Sequence, residues 1–379
     1  MNRIRPLSRL QERVMMPRLT RPDVWLLAAV AGLLGFGIVM VLNVSYFHAE
    51  ARYGDPYLFF RKHLMAVGAG LALMLLLSRV RLELLERWAS VMLPVSVLVL
   101  LMVLTPGIGA ARGGARRWIA FGGFSLQPSE FVKLGVVLFL ARWISRHRDA
   151  MDRFRSGVLP ALISVGACSA LILCQPDFGT AVILGLLLLL MLYVGGARPT
   201  HVLGLVLCGA IGTLVAVQVA PYRLRRLFAF LDPWEHSQDA GFQLVQSLIA
   251  FGSGGLSGVG LGQSKQKMFF LPEAHTDFIF ALVGEELGLI GALAVLALFA
   301  VVAVRGFRVA ARHPDCFASL LAFGLTAVLI LSAVVNVGVV LGMLPTKGLP
   351  LPFVSYGGSA LLATMLEVGV LAALSRMTG

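Results

Sequence analysis

An aspartate opens one of the most apolar stretches of this chain. In "LPEAHTDFIFALVGEELG" (271–288), Asp277 stands directly before Phe278, Ile279, Phe280, Ala281, Leu282 and Val283. A charge at the mouth of a hydrocarbon-bound helix is costly to desolvate. A carboxylate held there can accept a proton from a poor nucleophile such as an alcohol. At about 100° per residue, Ala281, Gly284 and Gly288 return to the Asp277 face, which becomes a strip of small residues. Such a strip admits another helix or a lipid chain close to the backbone, and the carboxylate is expected at the open end of a groove. The competing reading is an aspartate in the first helical turn, stabilised by the dipole by roughly 0.3–1 kcal/mol. It accounts for the acid but not for His275, Thr276 and the polar loop before them.

Three further polar motifs interrupt apolar sequence: "QPSEFVK" (127–133), "QPDFG" (175–179) and "LPTKGLPLPFVSYGGS" (344–359). Glu130 and Lys133 are neighbours on one helix face, so a local ion pair is as good a reading as direct chemistry. Asp177 reads equally as a helix cap and as a site residue. Glu285 and Glu286 point about 100° apart, so at least one needs a partner inside the bundle. Asn336 and Glu367 lie deep in apolar segments, where both function and helix–helix bonding suit them. Arg112, Arg116 and Arg117 crowd the short segment "GIGAARGGARRWIAFGGF", and Lys265 and Lys267 follow the glycine-rich "GSGGLSGVGLG" (252–262). That run is either a flexible loop or a set of backbone nests for phosphate. "GFQLVQSLIAFGSGG" (241–255) reads as a short amphipathic or re-entrant helix stopped by glycines.

The elements that must position these residues are membrane helices. Of 379 residues, 58% are hydrophobic and 13% charged, with a mean hydropathy of +0.86; soluble domains run near a quarter charged. Ten apolar stretches, at 24–47, 63–78, 89–105, 128–145, 158–174, 178–195, 201–220, 277–304, 317–342 and 352–375, approach the length needed to cross about 30 Å of hydrocarbon. Backbone groups in lipid must pair internally, so the expected fold is all-α, a polytopic bundle of about ten transmembrane helices. The four cysteines show no disulfide or metal spacing. The net charge of +13 fits basic loops facing anionic lipid rather than nucleic acid.

Most of the 32 basic residues fall on the side of the Arg-rich N-terminus when the ten spans alternate. Both termini are therefore expected in the cytoplasm. Residues 1–22 form a basic tail, residues 23–379 one transmembrane domain, and residues 221–276 a large extracytoplasmic loop between helices seven and eight. The same alternation puts all four polar motifs on the outer leaflet, as one outward-facing site.

Taken in order, "QPSEFVKL", "QPDFGTAV", "FLDPW", "GFQLVQSLIAFGSGGL", "LPEAHTDFIFALVGEELGLIG" and "LPTKGLPLPFVSYGGSA" resemble the SEDS family (shape, elongation, division and sporulation) over residues 24–375. The wordings "FLDPWE" and "LPTKGLPLPF" resemble its division branch more than its elongation branch, which usually lacks the lysine after "LP". Ala360 stands where that motif usually has serine.

The resemblance implies a peptidoglycan glycosyltransferase that polymerises lipid II at the outer face of the bacterial cytoplasmic (inner) membrane during septal synthesis. It further implies a class B penicillin-binding protein and other division proteins as partners, alongside membrane lipids. On this reading Asp277 is the general base on the acceptor hydroxyl. Arg116, Arg117, Lys265, Lys267 and Lys347 are candidates for the diphosphate, alone or with a divalent cation (Mg or Mn). His275, Thr276 and Ser355 line the substrate site, and Glu130, Lys133, Asp177, Glu285 and Glu286 support it. Two rivals are a lipid II flippase, which needs polar groups through the whole membrane depth, and a non-enzymatic scaffold that recruits the crosslinking partner.

Overall fold

The computed structural model describes residues 22–377 except 108, 113–114, 122–123, 269–270 and 273. The basic tail therefore lies outside the described residues, Pro22 apart. The chain order is α1 (Val24–Tyr53), α2 (Leu58–Leu77), α3 (Leu82–Leu104), β1 (Gly109–Arg112), β2 (Ala115–Phe121), β3 (Phe124–Leu126), α4 (Pro128–Arg146), α5 (Leu159–Cys174), α6 (Phe178–Val194) and α7 (Pro199–Val219). There follow α8 (Pro221–Leu231), α9 (Phe242–Gly254), α10 (Ile279–Arg312), α11 (Cys316–Val340) and α12 (Gly358–Ser375). Each of the ten expected spans coincides with a helix. Among the described residues, eight helical segments are long and apolar enough to cross a membrane, and α6 is a shorter apolar helix. The tenth, α4, carries Glu130, Lys133, Arg142 and Arg146 in 19 residues. The protein is a multi-pass, mainly helical membrane protein.

Burial divides the bundle. α11 and α12 are enclosed along most of their length, whereas α7 has no buried residue, as suits a helix solvated by lipid. Asp23 caps α1 by accepting from Leu26 N at 3.0 Å. Its carboxylate is gripped by Arg305 of α10 at 2.8 and 3.0 Å, and its own N–H donates to Ser375 of α12 at 3.1 Å. Three helices are thus tied at the end opposite Asp277. At the Asp277 end, α1 meets the segment before α12 so closely that a Cβ on Gly37 would collide with the Phe353 carbonyl.

The segment expected as an arginine loop folds into a small antiparallel meander, β1–β2–β3, with Ala110 opposite Trp118 and Ile119 opposite Leu126. The glycine pairs in "RGGAR" and "FGGF" separate short runs rich in strand formers, which is a hairpin pattern. This sheet adds to the helical bundle without changing its class.

α10 spans 34 residues, about 50 Å at 1.5 Å per residue, more than the hydrocarbon requires. It is broken at Gly288, whose φ of 66° and ψ of −164° no helix allows. The glycine-rich loop fills the break. Val259 and Gly260 donate to the carbonyls of Glu285 and Glu286 at 3.0 Å each, and Leu289 and Ile290 donate to Gly255 and Leu256 at 2.9 and 3.2 Å. A broken membrane helix survives because its freed backbone groups are paired again in this way. The run is neither a free loop nor open to phosphate. Backbone N–H groups of Gly262 and Ser264 point at the Glu286 carboxylate at 3.0 and 3.3 Å, and Lys265 N points at Glu285 at 3.0 Å. The nest exists, and the protein's own carboxylates occupy it.

Candidate active site

Pro128 starts α4 and leaves Gln127 outside it, where the Gln127 N–H donates to Ser359 Oγ of α12 at 2.9 Å. Inside the first turns Lys133 Nζ donates to Glu130 Oε2 at 2.8 Å, and both side chains are buried. Asp177 caps α6, accepting from Thr180 N at 3.2 Å and Thr180 Oγ1 at 2.9 Å. Gln127 Nε2 and Ser129 Oγ reach the same carboxylate at 3.5 Å. Arg117, on β2, donates through Nε to Gln175 O at 2.8 Å and through Nη2 to Pro176 O. Arg117 is thereby a clamp on the "QPD" turn, while Arg116 beside it is exposed.

Asp277 sits in the turn before α10, half-buried. A buried asparagine on α11 fixes that turn: Asn336 Nδ2 donates to Asp277 O at 2.8 Å and to Leu349 O at 2.6 Å. Tyr356 N donates to His275 O at 2.9 Å, and Ser355 Oγ accepts from Leu351 N at 2.9 Å, so Ser355 shapes its own loop. The carboxylate leans toward Gly348, where a Cβ would stand 2.8 Å from Oδ2. Lys347 adjoins it, with Nζ 4.9 Å from the Phe178 ring centre. Burial lowers the Lys347 pKa, and the Asp177 charge opposes that shift. His275 is buried in an aromatic group with Phe59 at 5.0 Å, His48 at 5.3 Å and Tyr356 at 5.6 Å between ring centres. Thr276 is half-buried beside it. The four polar motifs converge at one end of the bundle, through side chains separated by up to 232 residues.

Two expectations need correction. Lys267 is buried in a second cluster, its ammonium donating to Gly262 O at 2.6 Å and Asn43 Oδ1 at 2.8 Å and pairing with Glu286 at 3.4 Å. An ammonium has three protons, and these partners take all three, so Lys267 does not serve an external anion. Glu285 and Glu286 both find partners, Ser264 Oγ for the first and Asn43 Nδ2 for the second. The small-residue strip on α10 is likewise not an open groove. A Cβ on Gly284 would strike the Phe251 ring, and one on Gly254 would strike the Gly284 carbonyl, because α9 lies against that face. Lys265 is exposed.

Arg223 and Arg226 of α8, which belong to none of the four motifs, also reach this end of the bundle. Arg226 Nη1 donates to Thr346 O at 3.3 Å, and the Arg223 guanidinium lies 5.3 Å from the Phe178 ring centre. The pattern "PYRLRRLFAFL" carried the signal, because its arginines share one face of a helix with apolar residues opposite. Among the described residues no three His, Cys, Asp or Glu side chains gather as a metal site.

A half-buried carboxylate packed against the Lys347–Gly348 loop, at one end of a bundle of long apolar helices, defines a multi-pass membrane protein with a polar site at one end. The chain belongs to the FtsW/RodA/SpoVE family of cell cycle proteins, whose model matches residues 24–379. It is 42% identical over 357 residues to stage V sporulation protein E of Bacillus subtilis (strain 168), covering 94% of this chain and 98% of that one. It is 43% identical over 360 residues to the probable peptidoglycan glycosyltransferase FtsW of Geobacter metallireducens, covering 95% and 96%. Among solved structures it is similar to a chain of a peptidoglycan synthase complex that coordinates polymerization and crosslinking, with a TM-score of 0.79 and 29% identity over 94% of this chain and 98% of that one.

Proposed function

We propose that this protein is a peptidoglycan glycosyltransferase that polymerises lipid II at the extracytoplasmic face of the bacterial cytoplasmic membrane, in septal wall synthesis. Residues 23–379 act as one transmembrane domain, with the tail 1–22 in the cytoplasm and residues 221–276 outside. A class B penicillin-binding protein is its crosslinking partner, other division proteins and membrane lipids complete its surroundings, and nucleic acid has no part in it. The observation that carries this reading is the convergence of four family motifs around Asp277. The glycosyltransferase activity named for the FtsW relatives supports it.

In the reaction the 4-hydroxyl oxygen of an acceptor GlcNAc forms a bond to the anomeric carbon of a donor MurNAc. The bond from that carbon to the undecaprenyl diphosphate oxygen breaks, its electron pair leaving with the diphosphate. The hydroxyl proton passes to Asp277, and the α-linked donor becomes a β-1,4 linkage. General-base assistance of this kind contributes about 10²–10⁴-fold. Diphosphate is a good leaving group and needs no general acid. It needs cationic stabilisation of the charge it develops, and Lys347, on the strand of loop that touches Asp277, is placed to give it. Gly348 lets the carboxylate lie against that loop, and Asn336 holds both walls.

Purified protein and its crosslinking partner on lipid II test the reading. Wild type is expected to give glycan strands and Asp277→Asn none, with unchanged assembly between the two proteins. Undiminished strand synthesis by the Asn variant would instead mark the protein as a scaffold.

A further inference from the structure

At the end of the bundle opposite Asp277, α3 and α4 do not close on each other. Midway along they are in contact, where a Cβ on Gly135 of α4 would strike Ser96 Oγ of α3. Roughly two turns nearer the end, a crevice of about 260 Å³ opens between them, with Ala89 and Ser90 of α3 on one wall and the last turns of α4 on the other. Phe139, Trp143 and His147 recur every four residues along that second wall and stack, with ring centres 6.3 Å apart for the first pair and 3.9 Å for the second. Trp143 Nε1 donates to Gly157 O at 2.9 Å, and His147 Nδ1 donates to Trp143 O at 3.0 Å. The aromatic wall is therefore fixed in place.

The charges lining the crevice do not cancel. Arg142 Nη1 donates to the Glu86 carbonyl and stands 3.8 Å from Glu86 Oε1, while Arg146 Nη2 donates to that same Oε1 at 3.0 Å. One carboxylate faces two guanidiniums, and among the described residues neither arginine pairs with another acid within 4 Å. A guanidinium carries five N–H donors, of which each arginine uses one toward the described residues. The Arg142 side chain is only 20% exposed. Idle donors on a cation withdrawn from water are costly until an anion meets them.

Size and surroundings decide which anion. Sites for whole small molecules begin at about 300 Å³, so this space suits a headgroup better than a soluble metabolite. Ser90 is exposed at the crevice, and Val91, Val95 and Leu98 follow it on one exposed face of α3. That face forms an apolar track from the crevice toward the middle of a helix long enough to cross a membrane. Tryptophan characteristically sits at headgroup level. In the orientation proposed above this end meets the inner leaflet, where basic pockets between helices attract anionic lipid.

We infer that the α3–α4 crevice binds the headgroup of an anionic phospholipid, with its phosphodiester between the Arg142 and Arg146 guanidiniums and an acyl chain along Val91, Val95 and Leu98. The planar fork of arginine matches phosphate oxygens in pairs. Glu86 positions both arginines and competes with the phosphate for them. The site lies at the far end of α4 from Gln127 and stands independently of the polymerase reading.

The test is fluorescence anisotropy of chain-labelled phosphatidylglycerol with the full chain in dodecyl maltoside micelles, with phosphatidylcholine carrying the same label as control. Wild type is expected to prefer phosphatidylglycerol, and Arg142→Gln and Arg146→Gln are each expected to weaken it about tenfold, toward the phosphatidylcholine value. Glu86→Gln removes the competitor and is expected to tighten phosphatidylglycerol about two- to fivefold, a gain that a misfolded chain cannot produce. Arg312→Gln takes an exposed charge from the same end, outside the crevice, and is expected to change nothing. Equal wild-type affinity for the two lipids overturns the site, and so does wild-type affinity in both crevice arginine variants. A loss in Arg312→Gln as large as theirs overturns it too, by assigning the effect to net charge. Weaker binding in Glu86→Gln overturns the competition and leaves Glu86 a structural partner of the arginines. Inorganic phosphate at constant ionic strength is expected to leave the lipid in place; if it displaces the lipid, the crevice is a free-phosphate site and the lipid assignment is overturned.

Discussion

Asn336 and Asp277 are 59 residues apart and joined by one hydrogen bond of 2.8 Å, from the asparagine side chain to the aspartate's own carbonyl. The same amide nitrogen reaches Leu349 O at 2.6 Å, so one buried side chain on α11 holds the base-bearing turn against the lysine-bearing loop. Replacing it with leucine strands two carbonyls away from water. Each unmade bond costs about 1–3 kcal/mol, and Asn336→Leu is expected to lower thermal stability in detergent and to reduce polymerisation more than it reduces lipid II binding. Equal melting temperatures for the two proteins would show that the staple does not matter.

Gly348 lacks the one atom that would push the Asp277 carboxylate aside, since a Cβ there would come within 2.8 Å of Oδ2. Its backbone lies outside the left-handed region, so alanine is tolerable apart from that contact. Displacing a reacting group by about 1 Å can cost about 10²-fold. Gly348→Ala is expected to drop kcat by about 10–100-fold with little change in KM or melting temperature. A fall in KM-dependent rate alone would place Asp277 away from the chemistry.

Much of this arrangement was legible in the sequence. Helix alternation alone sent "QPSE", "QPD", "HTD" and "PTKG" to one end, because apolar length fixes each span and parity fixes its direction. Individual partners were not legible. Lys267 and Lys347 are both lysines in polar loops, and nothing local distinguishes the one that neutralises Glu286 from the one that lies over Phe178. The small-residue strip on α10 correctly announced a close approach, but Phe251 of α9 makes it, and a sequence cannot say which neighbour uses a strip. Arg223 was missed because its meaning depends on a ring 45 positions earlier.

Gly288 is where α10 breaks, with φ 66° and a position at which a Cβ would strike Gly258 N and the Leu256 carbonyl. Both causes act together, the left-handed backbone and the inserted loop, and neither neighbour is a flexible side-chain tip. Gly288→Ala is expected to destabilise by about 3 kcal/mol or more, and hydrogen exchange at Val259, Gly260, Leu289 and Ile290 is expected to accelerate with it. Wild-type protection at those four amides would mean that the loop does not hold the break.

Lys347 must be an ammonium to meet a diphosphate, and burial lowers its pKa below the ordinary 10.5 against the opposing charge of Asp177. Its charge is therefore lost as pH rises through a value below that of an exposed lysine. Arginine stays protonated throughout this range. The alkaline fall in polymerisation rate is expected to begin below the range of a free lysine in wild type and to move upward in Lys347→Arg, whatever that variant loses at neutral pH. An unmoved alkaline limb would assign the titration to another group.

Asp23 supplies the stability counterpart at the opposite end of the bundle. Burial pushes its carboxyl up, but hydrogen bonds from Arg305 and Leu26 and the Arg305 charge outweigh it and hold the pKa below 3.8. A carboxyl depressed in the folded state contributes stability above its unfolded pKa, and that contribution is lost as pH falls through the folded one. Asparagine caps a helix about as well as aspartate, so Asp23→Asn removes the charge and leaves the cap. The variant is expected to melt at a lower temperature than wild type by a gap that is constant from about pH 8 to about pH 5, worth about 1–3 kcal/mol for a charge-assisted pair of this kind. Below about pH 4 wild type is expected to converge on the variant. A gap that does not narrow at all as the pH falls below about 4 would assign the difference to packing around Arg305 and Ser375 rather than to the ionised carboxylate.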